Sequence, residues 1–109
     1  MEVEYTGRQT DVPGQVRKLV ERKLKKLEKF VGRPLRAHVI LTVDRHRQIA
    51  EVSVHSPRLD MTATEETDDM GASVGTVMDK LIRQAERHVG KRQSHKKKNG
   101  AVGLSGREA

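Results

Sequence analysis

Basic side chains recur about one helical turn apart in two segments of the chain, a spacing that could bind a polyanion. At 100° per residue, the members of each set fall on one narrow stripe of a helix. The first stripe contains Lys18, Arg22, Lys25 and Lys29, and the second stripe contains Lys80, Arg83, Arg87 and Lys91. Each stripe extends over about 16 Å at 1.5 Å per residue, which is several phosphate spacings of a nucleic-acid backbone. The pattern predicts two cationic stripes that contact phosphates.

A solvated helix face also carries charge, but it usually mixes the two signs. Glu21 and Glu28 lie to one side of the first stripe, and Glu21 can pair with Lys25. Such a pair contributes only about 0.2–0.5 kcal/mol. Within each stripe, like charges stand one turn apart, which mildly destabilises a helix that has no anionic partner. The alignment of one sign therefore favours polyanion binding over solubility alone.

The aromatic content narrows the kind of polyanion. Tyr5 and Phe30 are the only aromatic residues, whereas single-strand readers stack bases on exposed aromatic side chains. A basic amphipathic helix could also lie on an acidic membrane, but it would need its apolar face for lipid. Here a sheet competes to bury that face. We therefore expect a structured RNA or DNA, contacted through its phosphates and shape.

No catalytic or metal-binding arrangement is recognisable in the sequence. The five histidines lack H-x-x-x-H spacing, and the chain has no cysteine, glycine-rich phosphate loop or nucleophile elbow. Asp68 and Asp69 are explained by helix capping. We expect no enzyme activity, metal, cofactor or small-molecule substrate.

Two other binding functions stay open. A freestanding duplex-RNA module usually clamps phosphate with lysines at the start of its last helix, where this chain has Asp68 and Asp69. A regulator that binds a transcription factor is the alternative among protein-binding functions. It would not require aligned cationic stripes.

The first part of the chain predicts a strand and then an amphipathic helix. Residues 2–8 alternate in polarity, with Val3 and Tyr5 on one face. Asp11 is placed to cap the helix and Pro13 to stand in its first turn, and Gly32 with the following proline ends it. The apolar residues between these signals recur with the helical period: Val16, Leu19, Val20, Leu24, Leu27, Phe30 and Val31.

Three strands and a second helix follow. Apolar and polar residues alternate over 35–43, 50–54 and 59–63. The short connections between these segments require antiparallel hairpins. The second helix is predicted to begin near Thr67-Asp68-Asp69, where carboxylates suit the positive end of its dipole. Its apolar stripe contains Met70, Val74, Val77, Met78, Leu81, Ala85 and Val89.

The order β-α-β-β-β-α predicts an α+β fold, a four-stranded sheet with both helices packed on one face. The 109 residues carry a net charge of +7. We assign residues 1–92 to one small domain and residues 93–109 to a basic, disordered tail. The tail has too few apolar residues for burial to offset the entropy cost of ordering it. Because the sequence has no cysteine, no export signal and no membrane-spanning segment, we expect a cytoplasmic protein that binds no membrane.

The sequence resembles the bacterial ribosome hibernation-promoting factors, also called ribosome-associated translation inhibitors. The resemblance spans most of residues 1–92. It is carried by Tyr5-Thr6-Gly7-Arg8, by Lys23-Leu24-Lys25-Lys26-Leu27-Glu28-Lys29-Phe30, and by Asp69-Met70 with Asp79-Lys80-Leu81-Ile82-Arg83-Gln84. It implies a fold similar to a double-stranded RNA-binding domain. It also implies binding to the small ribosomal subunit in the channel for messenger and transfer RNA, which blocks translation and protects idle ribosomes during stress or stationary phase.

The family's rRNA contacts come from basic helix residues, and the resemblance carries them to matching positions of this chain. These positions are Arg22, Lys25, Lys26 and Lys29 in the first helix, and Lys80, Arg83, Arg87 and Lys91 in the second. Lys26 thus enters the candidate site through the resemblance, and Lys18 through the stripe alone. The chain looks like a short form, so a separate ribosome modulation factor would be needed for ribosome pairing.

Two glycines depart from the family pattern. Gly71 stands where the family usually has Tyr after Asp-Met, and Gly75 where it has Asp four residues further on. Each glycine costs a helix about 1 kcal/mol relative to alanine. Close backbone packing is one explanation of the two glycines, and sequence drift is the other.

Overall fold

The computed structural model describes residues 1–97, with side chains described for residues 1–89. The predicted order of elements is confirmed. The elements are β1 (Glu2–Arg8), α1 (Gly14–Val31), β2 (Arg36–Asp44), β3 (Arg47–His55), β4 (Asp60–Thr67) and α2 (Met70–Lys97).

The four strands form one sheet in the order β1-β2-β3-β4. β1 pairs with β2 in parallel, while the hairpins β2–β3 and β3–β4 are antiparallel, as their short connections predict. α1 joins two parallel neighbouring strands and therefore runs back along the sheet. α2 follows β4 through a two-residue connection and also runs back, so both helices begin at the same end of the sheet.

One face of the sheet and both helices enclose the core. The register places Val39 opposite Val52, and Val52 opposite Ala63, so the buried side chains of three strands share a face. α1 packs along α2, and α2 packs against β3 and β4. The largest fully buried side chains are Leu24 and Leu27 of α1, Leu35, Leu41 of β2, and Met78 and Leu81 of α2. Ile82 is also buried, although it was not part of the apolar stripe predicted for α2.

The predicted start of α1 is wrong by two residues, whereas its end is confirmed. Pro13, not Asp11, occupies the N-cap position, with no side-chain capping bond. The Pro13 carbonyl accepts the N–H of Val16 at 3.0 Å, so the extended proline itself begins the helix and Asp11 lies too early to reach the free N–H groups. At the other end Gly32 has φ 83°, and its N–H donates to the Glu28 carbonyl at 2.9 Å.

Asp69 caps the start of α2, as one of the two aspartates predicted there, but the first turn of the helix contains no acidic residue, so the predicted first-turn carboxylates are wrong. Asp69 Oδ2 accepts the N–H of Ala72 at 2.8 Å. The hydroxyl of Thr67 accepts the Asp69 N–H at 3.0 Å, and the buried Ser73 donates to the Gln48 carbonyl at 2.6 Å. These bonds join the first turn of α2 to the beginning of β3.

α2 continues to Lys97, past the boundary that the sequence placed after residue 92. Residues 91–97 contain good helix formers and neither glycine nor proline, so the helix continues into the predicted tail. Residues 98–109, the rest of that tail, lie outside the described residues, and their disorder stays a prediction. Within the described part of the chain, neither helix combines the length and apolar character needed to cross a membrane.

Gly7 has a packing role at the end of β1. A Cβ built on Gly7 would stand 2.2 Å from the Thr10 carbonyl oxygen and 3.2 Å from its carbonyl carbon. Since backbone atoms cannot yield as a flexible side chain does, the chain can turn back here only at glycine. Gly71 and Gly75 are different. A Cβ added to Gly71 meets only Asp69 Oδ2, at 3.3 Å, and a Cβ added to Gly75 meets nothing within 4 Å. Close backbone packing therefore does not explain these glycines.

Candidate nucleic-acid interface

The basic residues of α1 lie on its solvent side. Val20, Leu24 and Leu27 turn to the core and are fully buried. Because of the helical period, the residues on the opposite side of the helix face solvent. Lys18, Arg22, Lys25, Lys26 and Lys29 are all exposed. The first stripe is therefore available to a ligand along its whole length.

The second stripe lies on the solvent side of α2 in the same way. Lys80, Arg83 and Arg87 are exposed, while Val77, Leu81 and Ala85 of the same turns are buried. The backbone of Lys91 belongs to α2, but its side chain lies outside the described residues, and its part in the site stays a prediction.

An ion pair joins the two helices that carry the stripes. Lys23 Nζ lies 2.9 Å from Asp79 Oδ1, and the Lys23 side chain is only 25% exposed. This lysine belongs to the contact between α1 and α2 and is neutralised there. With the packing of α1 on α2, the pair keeps the two stripes side by side on a rigid support.

The cations of the stripes differ in whether a carboxylate already neutralises them. Lys80 Nζ lies 2.5 Å from Glu65 Oε2 of β4, so its charge is engaged within the protein. Among the residues whose side chains are described, no carboxylate lies within 4.0 Å of the other candidate cations. These are Lys18, Arg22, Lys25, Lys26, Lys29, Arg83 and Arg87. Seven free positive charges thus face solvent on the helix side of the domain.

The open face of the sheet has a different electrostatic character. Two of its arginines pair with carboxylates, in the contacts Arg36 Nε–Glu2 Oε1 at 3.0 Å and Arg47 Nη2–Glu66 Oε1 at 2.8 Å. The hydrogen bond from Arg47 lowers the pKa of the Glu66 carboxyl. These pairs leave less free positive charge on this face than on the helix side, which is the surface that favours a polyanion.

The two aromatic side chains are engaged within the protein. The Arg17 guanidinium carbon lies 4.6 Å from the centre of the Tyr5 ring, and burial, with the nearby charge of Glu21, raises the pKa of the Tyr5 hydroxyl. Phe30 is half-buried against the core. Neither ring is offered as an open platform for a base, which supports contact through phosphates.

The histidines of the sheet have partners within the domain. His38 Nε2 is 2.9 Å from the Thr6 hydroxyl, and His55 Nδ1 is 3.2 Å from Asp60 Oδ1. In the described residues, no group of three or more histidine, aspartate or glutamate side chains is placed to hold a metal ion.

Sequence reasoning missed one exposed cation that contacts α1 from outside the helices. Arg58 stands in the connection between β3 and β4, and its Nη1 donates to the Phe30 carbonyl at 3.2 Å. A search for helical spacing cannot find it, because it belongs to a turn. The only sequence signal is a basic residue directly after Pro57 in a tight connection.

Comparison with known proteins identifies the family. The family model described as "Sigma 54 modulation protein / S30EA ribosomal protein" matches residues 3–93. The chain belongs to this family. The resemblance seen in the sequence is thereby confirmed, since the match covers both helices' candidate residues.

Curated relatives in this family carry the name ribosome hibernation promoting factor. The protein of that name from Azotobacter vinelandii is 35% identical over 88 residues, which are 81% of this chain and 82% of the relative. The one from Klebsiella oxytoca is 32% identical over 95 residues, covering 87% of this chain and 100% of the relative.

Solved structures in the family confirm the fold. The crystal structure of the Thermus thermophilus Protein Y N-terminal domain has a TM-score of 0.73 and 28% identity, covering 81% of this chain and 99% of that one. The ribosomal subunit interface protein from Coxiella burnetii has a TM-score of 0.67 and 27% identity, with coverages of 81% and 97%.

Proposed function

We propose that this protein is a ribosome hibernation factor that binds the small ribosomal subunit in the channel for messenger and transfer RNA. There it blocks translation and protects idle ribosomes during stress or stationary phase. Family membership and relatives named ribosome hibernation promoting factor support the hibernation function. The observation that carries the proposed mode of binding is the set of seven unpaired cations on the helix side of the domain.

Binding is electrostatic and independent of sequence. The stripes of α1 and α2 are proposed to neutralise rRNA phosphates and release their condensed counterions. Phosphate contacts fix the position and orientation of a protein on RNA without reading bases. The folded domain then blocks the channel by its volume, and this mechanism includes no catalytic step.

The fold limits the entropy cost of presenting these charges. Both stripes stand on helices that share one core, and Lys23–Asp79 joins the helices directly. With a rigid support, no backbone has to be ordered on binding, so the entropy cost beyond overall translation and rotation is limited to side chains. Arginine adds planar, bidentate hydrogen bonds to phosphate, which favours Arg22, Arg83 and Arg87 as the strongest contacts.

The proposed partner is the rRNA of the small subunit, and the proposed location is the cytoplasm. A separate ribosome modulation factor is the proposed partner for ribosome pairing. The relatives are named ribosome hibernation promoting factors. Neither a freestanding duplex-RNA module nor a protein-binding regulator of transcription is favoured by the names of these relatives.

Co-sedimentation with separated small and large ribosomal subunits tests the proposal. We expect near-stoichiometric, salt-sensitive binding to the small subunit, together with inhibition of translation in vitro. Equal binding to both subunits, or binding with no effect on translation, would contradict it.

A variant with Arg22, Lys25, Arg83 and Arg87 replaced by alanine tests the interface. Its control replaces Arg8, Arg45 and Arg47, which removes three positive charges from the open face and hairpin end of the sheet. We expect the first variant to bind much more weakly and the second to keep most of its affinity. Exposed charges contribute little to folding, so both should remain folded.

A further inference from the structure

Arg58 lies where the β3–β4 connection meets the end of α1. It is exposed, and its Nη1 donates to the Phe30 carbonyl in the last turn of that helix at 3.2 Å. Phe30 directly follows Lys29, the last member of the first stripe. The guanidinium of Arg58 is therefore held at the last turn of α1, the turn in which the first stripe ends.

The same connection lies close to α2. Leu59 lines a shallow hollow with Gln84, Arg87 and His88 of α2. Arg87 belongs to the second stripe. One turn of the chain thus contacts α1 through Arg58 and borders a hollow that a residue of the second stripe also lines.

Hydrogen bonds within this connection close its turn. The Ser56 hydroxyl accepts the Leu59 N–H at 3.1 Å and donates to the Leu59 carbonyl at 2.5 Å. Pro57 restricts the backbone between them. Arg58 is therefore positioned by a closed, hydrogen-bonded turn.

The charge of Arg58 is free of any carboxylate in the described part of the chain. A guanidinium has five N–H donors, and the Phe30 carbonyl takes one of them. The remaining donors can bind an anion from solvent.

The two ends of the domain differ in their balance of charge. At the Arg58 end, the basic residues are Lys29, Arg33, Arg36, Arg58 and Arg87, and the acidic residues are Glu2, Glu28, Asp60 and Glu86. At the hairpin end, the basic residues are Arg8, Arg17, Arg45 and Arg47, and the acidic residues are Asp11, Asp44, Glu66, Asp68 and Asp69. A polyanion is favoured at the Arg58 end.

We propose that Arg58 is a third phosphate-binding point, which joins the two stripes into one continuous cationic surface around the C-terminal end of α1. This inference rests on the proposed binding of rRNA and specifies where the RNA backbone crosses from one helix to the other. It assigns Arg58 two tasks, because the same guanidinium also satisfies a free carbonyl at the end of α1.

Two variants of Arg58 test these tasks. Arg58→Gln removes the charge and, because its amide ends two bonds before the position of Nη1, also the donor to the Phe30 carbonyl, whereas Arg58→Lys keeps the charge. We expect Arg58→Gln to lower the Tm only slightly, by the loss of one exposed hydrogen bond, and to bind the small subunit about five- to tenfold more weakly. Its slope of log affinity against log salt should be smaller by about 0.7–0.9. Arg58→Lys should keep the parent slope.

Arg45→Gln is the matched control, since it removes the same charge from the exposed hairpin tip at the opposite end of the sheet. It should bind with the parent slope. A loss as large as that of Arg58→Gln would show a general effect of net charge and overturn the proposal. An unchanged slope for Arg58→Gln, or a slope for Arg58→Lys as reduced as that of Arg58→Gln, would also overturn it.

The four-alanine stripe variant, measured in the same salt series, distinguishes the two levels of the proposal. If that variant loses binding while Arg58→Gln does not, only the role of Arg58 is wrong. If the stripe variant also binds like the parent, the proposed interface itself is wrong.

Discussion

Gly75 stands in the interior of α2, where its side of the helix has open space. A Cβ built on its backbone meets no atom within 4 Å, and its φ lies outside the left-handed region. Alanine therefore fits without strain. We expect Gly75→Ala to raise the free energy of unfolding by about 1 kcal/mol, because alanine loses less backbone entropy than glycine when a helix forms.

Thermal unfolding followed by circular dichroism measures this effect. For a domain of this size, about 1 kcal/mol corresponds to a rise in Tm of about 4–8 °C. Gly75 is not part of either stripe, so affinity for the small subunit should stay unchanged. The variant would then be more stable and equally able to bind.

Two other glycines provide the controls. Gly7→Ala should lower the Tm, since the added carbon would stand 2.2 Å from the Thr10 carbonyl oxygen. Gly71→Ala should raise it less than Gly75→Ala, because its Cβ approaches the capping oxygen of Asp69 at 3.3 Å. A lower Tm for Gly75→Ala would refute the reasoning, as it would mean that α2 packs closely on a neighbour at this position.

Three further substitutions test individual contacts of the structure. Asp69→Ala should lower the free energy of unfolding by about 1 kcal/mol through loss of the α2 cap, and an unchanged denaturation midpoint would contradict the capping role. Glu66→Gln should reduce the loss of stability in acid. Arg47 lowers the pKa of Glu66 in the folded protein, so the pair stabilises the fold above the ordinary glutamate pKa. This stabilisation is lost as the pH falls through the pKa that Glu66 has in the folded protein. A pH–Tm profile identical to the parent would refute this. Glu65→Gln should free Lys80 and tighten binding to the small subunit in low salt, whereas weaker binding would show that the pair positions the lysine.

The order of elements could be predicted because helices and strands bury residues with different periods. Val20, Leu24 and Leu27 recur with the helical period, and Val39, Leu41 and Val52 alternate along strands. The parallel pairing of β1 with β2 was not specified by that pattern, since alternation does not encode strand direction. The start of α1 was misplaced because Asp11 is a good capping residue by type, whereas the extended backbone of Pro13 begins the helix.

The exposure of the candidate residues could be predicted from the sequence, but their ion pairs could not. Helical spacing predicted that Arg22 and Arg83 lie on exposed stripes, and both side chains are exposed in the structure. Whether each cation is free depends on other elements, and Lys80 meets Glu65 of β4. Arg58 was missed because its place between two helices arises from tertiary packing and leaves no periodic signal in the sequence.

The most direct test of the account is the salt dependence of binding to the small ribosomal subunit, for the parent protein and the four-alanine stripe variant. With about six to eight phosphates engaged, the parent should show a slope of log affinity against log salt of about −4 to −7. The stripe variant should bind more weakly with a slope smaller by roughly 3 to 4, while the open-face control keeps the parent slope. Equal affinity and equal slope for the parent and the stripe variant would contradict the central claim that the helix stripes contact rRNA.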